Sequence, residues 1–235
     1  VLKLWYRYAL RKHNLNTDLH IHSLEDPQGN MDAQYQLQQA HINDIIGSAI
    51  IKGLDVIGIV SRHSFQPGEI AKQIIQEKQY DMAALSGVEI DTSDGYHIIV
   101  FNATTIPNEN EEFENICVRA HRENGVVMVI QPSRRNVQRM NKVKGTDQAP
   151  DFIEMFNDIT QGGYNKAFVD TSPSSEFQIV MNSAARNARD LDMSVMMTRI
   201  PRKVLINKGV IKEEEGLDFT PSYLQEDANR GLLYS

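Results

Sequence analysis

Cysteine is all but missing from this 235-residue chain: Cys117 is the single one. An intramolecular disulfide framework and a Cys-based zinc ribbon are thereby excluded, and a reducing cytoplasm is the simplest compartment. No apolar run approaches the ~18 residues of a membrane span, and no charged-then-apolar signal segment opens the sequence. Basic residues are the minority, 24 Lys plus Arg against 31 Asp plus Glu, for a net charge of −7. A surface that attracts nucleic acid over its whole area is not expected, although a local basic groove is compatible with this balance. Neither G-x-G-x-x-G nor G-x-x-x-x-G-K-[ST] occurs, so a dinucleotide site and a Walker loop have no support. There is no internal repeat and no low-complexity block.

What is present is ordinary globular material, 41% hydrophobic and 23% charged, with a mean hydropathy of −0.40. At ~150 residues per domain the length allows one or two domains, and barrels of about 200–250 residues commonly form one. Strand-like and helix-like segments alternate. Residues 15–22 read as a strand. Residues 33–52 read as a helix with Leu37, Ala40, Ile45, Ile46, Ala49 and Ile50 on one stripe and Gly53 as its stop. Residues 54–60 are the next strand, followed by a helix from Pro67 with Ile70, Ile74 and Ile75 inward. Further strands are expected at 82–90, 97–102, 126–130, 152–156 and 177–181, with a helix at 109–124. Residues 133–150, with Arg134, Arg135, Arg139, Lys142 and Lys144, read as an exposed basic excursion, by default a solvated loop and alternatively a phosphate or nucleic-acid contact. This alternation predicts an α/β protein with a parallel sheet, and the number of units favours closure into a barrel. Residues 198–209 could form a helix, and the tail with Glu213–Glu215 reads as a peripheral arm. The expected division is a barrel over 1–192 and a C-terminal helix and tail over 193–235.

Polar residues with chemistry cluster after the apolar parts of strands: His20 and His22, Arg62 and His63, Glu89, Gln131, and Arg186 beyond Asn182 and Ser183. Active sites of α/β barrels lie at the carboxyl ends of the parallel strands, so these scattered positions are expected to share one rim. His97 opens a strand and fits an antiparallel neighbour of the Glu89 strand. His20 and His22 sit at i and i+2, which on a strand point the same way, and two imidazoles with a carboxylate such as Glu89 can hold one ion. Taken alone, the H-x-H pair is as readily structural as functional. Cys117 falls on the apolar stripe of its helix and reads as a packed thiol. His41 reads as a helix-surface or packed residue, and His13 and His121 as surface groups.

These residues together resemble the PHP family, the polymerase and histidinol phosphatase domain. Asp18-Leu19-His20-Ile21-His22-Ser23 is similar to its opening motif, and Gly87-Val88-Glu89 to its Gly-x-Glu. Ser61-Arg62-His63-Ser64 stands where the family has Thr-Asp-His, and Gln131-Pro132 where it has His-Pro. Ser183-Ala184-Ala185-Arg186, then Asp190-Leu191, resembles its Ser-Asp-Ala-His segment. The resemblance implies a distorted (β/α)7 TIM-like barrel with up to three divalent ions, Mn, Zn or Fe, that hydrolyses phosphate esters, including phosphomonoesters and nucleic-acid ends. The implied ligand set is His20, His22, Glu89, His97, His63 and Asp26.

The departures reduce that set. Arg62, Gln131, Ala184 and Arg186 replace an Asp, a His, an Asp and a His of the family pattern. A guanidinium offers no lone pair to a cation, and Ala184 offers no ligand at all. One ion, or two at most, is expected at His20, His22 and Glu89 with His97 nearby, the other outcome being a vestigial site. Arg62 and Arg186 have three roles open to them: binding substrate phosphate together with Gln131, pairing internally with Glu89 or Asp26, or facing solvent. Two functions follow. One is a divergent metal-dependent phosphoesterase with Glu89, Arg62 and Arg186 at the reacting centre. The other is a non-catalytic domain serving as a scaffold or anion- or nucleic-acid-binding module, with the C-terminal tail available to a protein partner.

Overall fold

The computed structural model describes residues 13–24, 31–157 and 177–211. Asp26 and the tail beyond residue 211, with Glu213–Glu215, lie outside these, as does the partner role expected of the tail. Eight strands are described: β1 (Asn14–His22), β2 (Val56–Ser61), β3 (Ala83–Asp91), β4 (His97–Phe101), β5 (Val126–Ile130), β6 (Phe152–Asn157), β7 (Gln178–Asn182) and β8 (Thr198–Pro201). Helices are α1 (Met31–Lys52), α2 (Gln66–Glu77), α3 (Phe113–Arg122), α4 (Arg134–Val143), α5 (Ala188–Met193) and α6 (Arg202–Asn207). No described helix is long and apolar enough to cross a membrane.

All eight strands form one sheet in the order β7-β6-β5-β4-β3-β2-β1-β8. β4 and β8 run antiparallel to their neighbours, and the other pairings are parallel. The two ends of the sheet curl towards each other. The Thr198 hydroxyl donates to the Met181 carbonyl at 2.9 Å and accepts from the Met181 N–H at 2.5 Å. The Leu19 N–H donates to Asn182 Oδ1 at 2.8 Å, and the His22 N–H to the Ala185 carbonyl at 2.7 Å. The result is a nearly closed, mixed TIM-like barrel with helices outside, as the sequence predicted.

Alternation along the strands sorts the apolar side chains into layers. Leu15, Leu19, Val56, Val60, Leu85, Ile99, Phe101, Met128, Phe152 and Val180 fill the interior. Their neighbours face outward: Ile57 and Ile59 pack under α1, α2 and α5, and Val88, Ile98, Val127 and Val129 under α3 and α4. Cys117 is fully buried in the second of these outer layers, as expected of a packed thiol.

Four expectations are corrected. On α1 the buried residues are Gln38, Ile42, Ile45, Ile46, Ser48 and Ala49, whereas Leu37, Ala40 and Ile50 of the expected stripe are exposed. Residues 134–143 form α4 rather than a loop, because Ser133 and Asn136 make a reciprocal capping box and Val137 and Met140 are buried. The expected helix at 198–209 divides at Pro201. Its first part is β8, paired antiparallel with β1, and its second is α6. β8 extends the sheet beside β1, and Ile200, Leu205, Val210 and Ile211 join the interior core. His121 is partly buried and bonded rather than a free surface group: its Nε2 lies 3.0 Å from Asp151 and its Nδ1 2.8 Å from the Asp147 carbonyl.

Candidate metal centre

Strict alternation would place Leu15, Thr17 and Leu19 inside and send His20 and His22 outside. β1 avoids this with a bulge. Its pairing with β2 runs Asp18 to Ile57 and then Ile21 to Ile59, three residues against two. The extra residue switches the parity, so Leu19 fills the interior core while Ile21 joins the outer layer. His20 and His22 then project into the mouth of the barrel. On β3 the same inward parity runs from Leu85 through Gly87 to Glu89, which brings Glu89 to the same place.

His20, His22 and Glu89 offer one ligand atom each, and these three atoms all lie within 4.8 Å of one another. The two Nε2 atoms stand 3.1 Å apart. Glu89 Oε2 is 4.0 Å from His20 Nε2 and 3.9 Å from His22 Nδ1. That oxygen is buried and has no hydrogen-bond partner. A buried carboxylate oxygen left unpaired is costly, and a cation between the three groups would relieve it.

Behind this cluster lies a carboxylate that the sequence reading passed over. Glu154 on β6 is 2% exposed, and its Oε1 accepts from His20 Nδ1 at 2.9 Å and from Asn182 Nδ2 at 2.8 Å. The Asn182 side-chain oxygen accepts from the Leu19 N–H. An ionised carboxylate can only accept, so the proton of His20 sits on Nδ1 and its Nε2 faces the cluster. A carboxylate behind a histidine is the usual support of a metal ligand, fixing its ring and tautomer. The available signal was a lone acid inside the apolar run Phe-Ile-Glu-Met-Phe of 152–156.

Charge is unevenly shared at the site. Burial opposes protonation of His20, but Glu154, with Glu89 and Asp18, outweighs it and holds the pKa above the usual histidine value. Burial, His20, Arg186 and Arg62 together push His22 down to about 3, so this ring is neutral and keeps a lone pair for a ligand. Asp18 is fully buried, and burial raises it to about 6 although its oxygens accept the Ser183 and His20 N–H groups.

The other expected site residues fall around this centre. Arg62 and Arg186 are exposed, and both stand close enough to His22 to oppose its protonation. Neither makes an ion pair with a described residue, so the internal pairing with Glu89 is not formed. Gln131 ends β5 in a left-handed conformation, φ 46°, and Ala184 is fully buried at φ 52°. Exposed Arg134 and Arg135 follow Gln131 at the start of α4. His97 opens the antiparallel β4 but is half-exposed and bonds Asp91 at 2.5 Å, outside the three-residue cluster. His63 is exposed on the turn after β2, also outside it.

No protein-family model and no curated protein matches the chain. Among solved structures it is similar to a candidate metal-dependent phosphoesterase from Bifidobacterium adolescentis, with a TM-score of 0.56 and 10% identity. The match covers 83% of this chain and 97% of the other. At that identity the likeness establishes the barrel fold.

Proposed function

We propose that this chain is a divergent PHP-type phosphoesterase with a reduced metal site, acting on phosphate esters or nucleic-acid ends. One observation carries the reading: His20, His22 and Glu89 converge on a common point, and a buried Glu89 oxygen there lacks a partner. Two histidines and one carboxylate with an open position is a catalytic zinc pattern, and Mn or Fe also accept such donors. A divalent ion held by these three residues would supply Lewis-acid activation of a phosphoryl oxygen and of water. The chain's own residues do the rest. Glu154 fixes the His20 ring. Arg62 and Arg186, exposed and free of described ion pairs, bind the phosphoryl oxygens by charge-assisted hydrogen bonds, with Gln131 across the mouth as a neutral donor. One ion is supported by this set, and a second would need His97 to leave Asp91. The lone buried thiol suits a cytoplasmic location.

The test combines metal analysis with turnover. Protein dialysed against Mn or Zn is expected to retain about one ion per chain and to hydrolyse p-nitrophenyl phosphate, and His20→Ala is expected to lose both. Unchanged hydrolysis by His20→Ala would overturn the mechanism. The second reading, a non-catalytic anion-binding domain, is favoured by Ala184 and Arg186 standing where the family pattern has ligands. It predicts phosphate binding without turnover in metal-replete protein.

A further inference from the structure

The phosphoesterase reading leaves unused a cavity of about 200 Å³ between the first half of α1, the start of α2 and the turns after β1 and β2. Gln38 of α1 lines it and is 6% exposed, yet neither its amide oxygen nor its amide nitrogen has a hydrogen-bond partner. Buried amides are nearly always paired, so this one points to something that fills the cavity and pairs with it. The rest of the described lining is neutral. Ser61 and His63 add polar groups, Leu24, Tyr35 and Ile70 add apolar surface, and no Lys, Arg, Asp or Glu is among the described lining residues.

Two links join this cavity to the metal centre. Leu24 of its wall follows His22, the last residue of β1, by two positions. Arg62 sits between Ser61 and His63 of the cavity wall.

We propose that this cavity receives the uncharged alcohol portion of a small phosphate monoester, and that Gln38 reads a carboxamide or lactam edge on it. A primary amide presents a donor beside an acceptor, which matches the acceptor and donor of another amide in a paired hydrogen bond. The volume is below the ~300–1,000 Å³ of drug-sized sites, which suits a single substituted ring. A neutral wall does not suit a polyanionic chain. The assignment of this group as the leaving alcohol rests on the phosphoesterase reading. Occupancy of the cavity does not.

Benzamide tests the cavity directly. Titrated into the full chain and followed by calorimetry, it is expected to bind saturably, and Gln38→Leu, which fills similar space without polar atoms, is expected to weaken binding about tenfold. Equal binding to both proteins, or binding to neither, overturns the proposal and leaves ordered water as the occupant. The leaving-group role is tested with 4-carbamoylphenyl phosphate against phenyl phosphate. The ratio of their kcat/KM values is expected to fall about tenfold in Gln38→Leu, and an unchanged ratio overturns that role. Turnover of neither ester by metal-loaded wild type would instead defeat the phosphoesterase reading and the leaving-group role with it, while the benzamide titration still decides the cavity.

Discussion

Gly58 and Leu19 meet where no side chain could fit: a Cβ built on Gly58 would stand 2.4 Å from the Leu19 carbonyl oxygen. The β1 bulge pushes that peptide against β2, and the missing Cβ makes room for it. The orientation of both histidines therefore rests on a glycine distant in sequence but on the neighbouring strand.

Gly58→Ala is expected to cost about 1–3 kcal/mol, because the clash is with backbone and cannot be relieved by a rotamer change. It should also weaken metal binding by disturbing the bulge. Urea denaturation and a chelator-competition titration measure the two effects. A stable variant with intact metal affinity would show that the bulge does not need this contact.

Glu154→Gln is expected to lower Zn or Mn affinity about 10–100-fold, the usual effect of losing the carboxylate behind a ligating histidine. His22→Ala should lower it further, by removing a donor outright. Competition with a coloured chelator ranks the three proteins, and wild-type affinity in Glu154→Gln would argue against its supporting role.

Arg186→Ala and Arg62→Ala are expected to weaken competitive inhibition by inorganic phosphate about five- to tenfold each. Metal affinity should hold or rise, since each change removes a positive charge near His22. Inhibition constants and the same chelator assay check both signs, and a fall in metal affinity with unaltered phosphate inhibition would contradict the assignment.

The His121–Asp151 pair at the opposite end of the barrel sets a pH window. The Asp151 hydrogen bond raises the His121 pKa despite burial, so its stabilisation is full below 6.5 and is lost as pH rises through the higher folded value. Burial works against ionisation of Asp151, but His121, with Lys208 at 3.0 Å, outweighs it and lowers its pKa. Its contribution is present above 3.8 and lost as pH falls through the lower folded value. His121→Gln is expected to destabilise by on the order of 1 kcal/mol between pH 4 and 6.5, and by less as pH rises through the raised His121 value. Thermal melts of both proteins across that range test this.

Much of the barrel is legible without coordinates. The wholly apolar run 126–130 and the amphipathic α3 need no partner to be recognised, because composition marks the one as buried and residue spacing marks the inward face of the other. His20, His22 and Glu89 were legible too, as chemistry-bearing residues after apolar strand segments. Three things were not. A bulge shifts which side a residue faces without changing its type, so the sequence cannot say that His20 and His22 point inward. Glu154 lies 134 residues from His20, and only the approach of β6 and β7 to β1 brings them together. Residues 198–209 read as one helix, but Thr198, Ile200 and Pro201 are poor helix formers, and the open edge of β1 takes the first four as a strand. Local physics thus chose the elements and the donor residues, and the long-range closure of the sheet decided which donors meet.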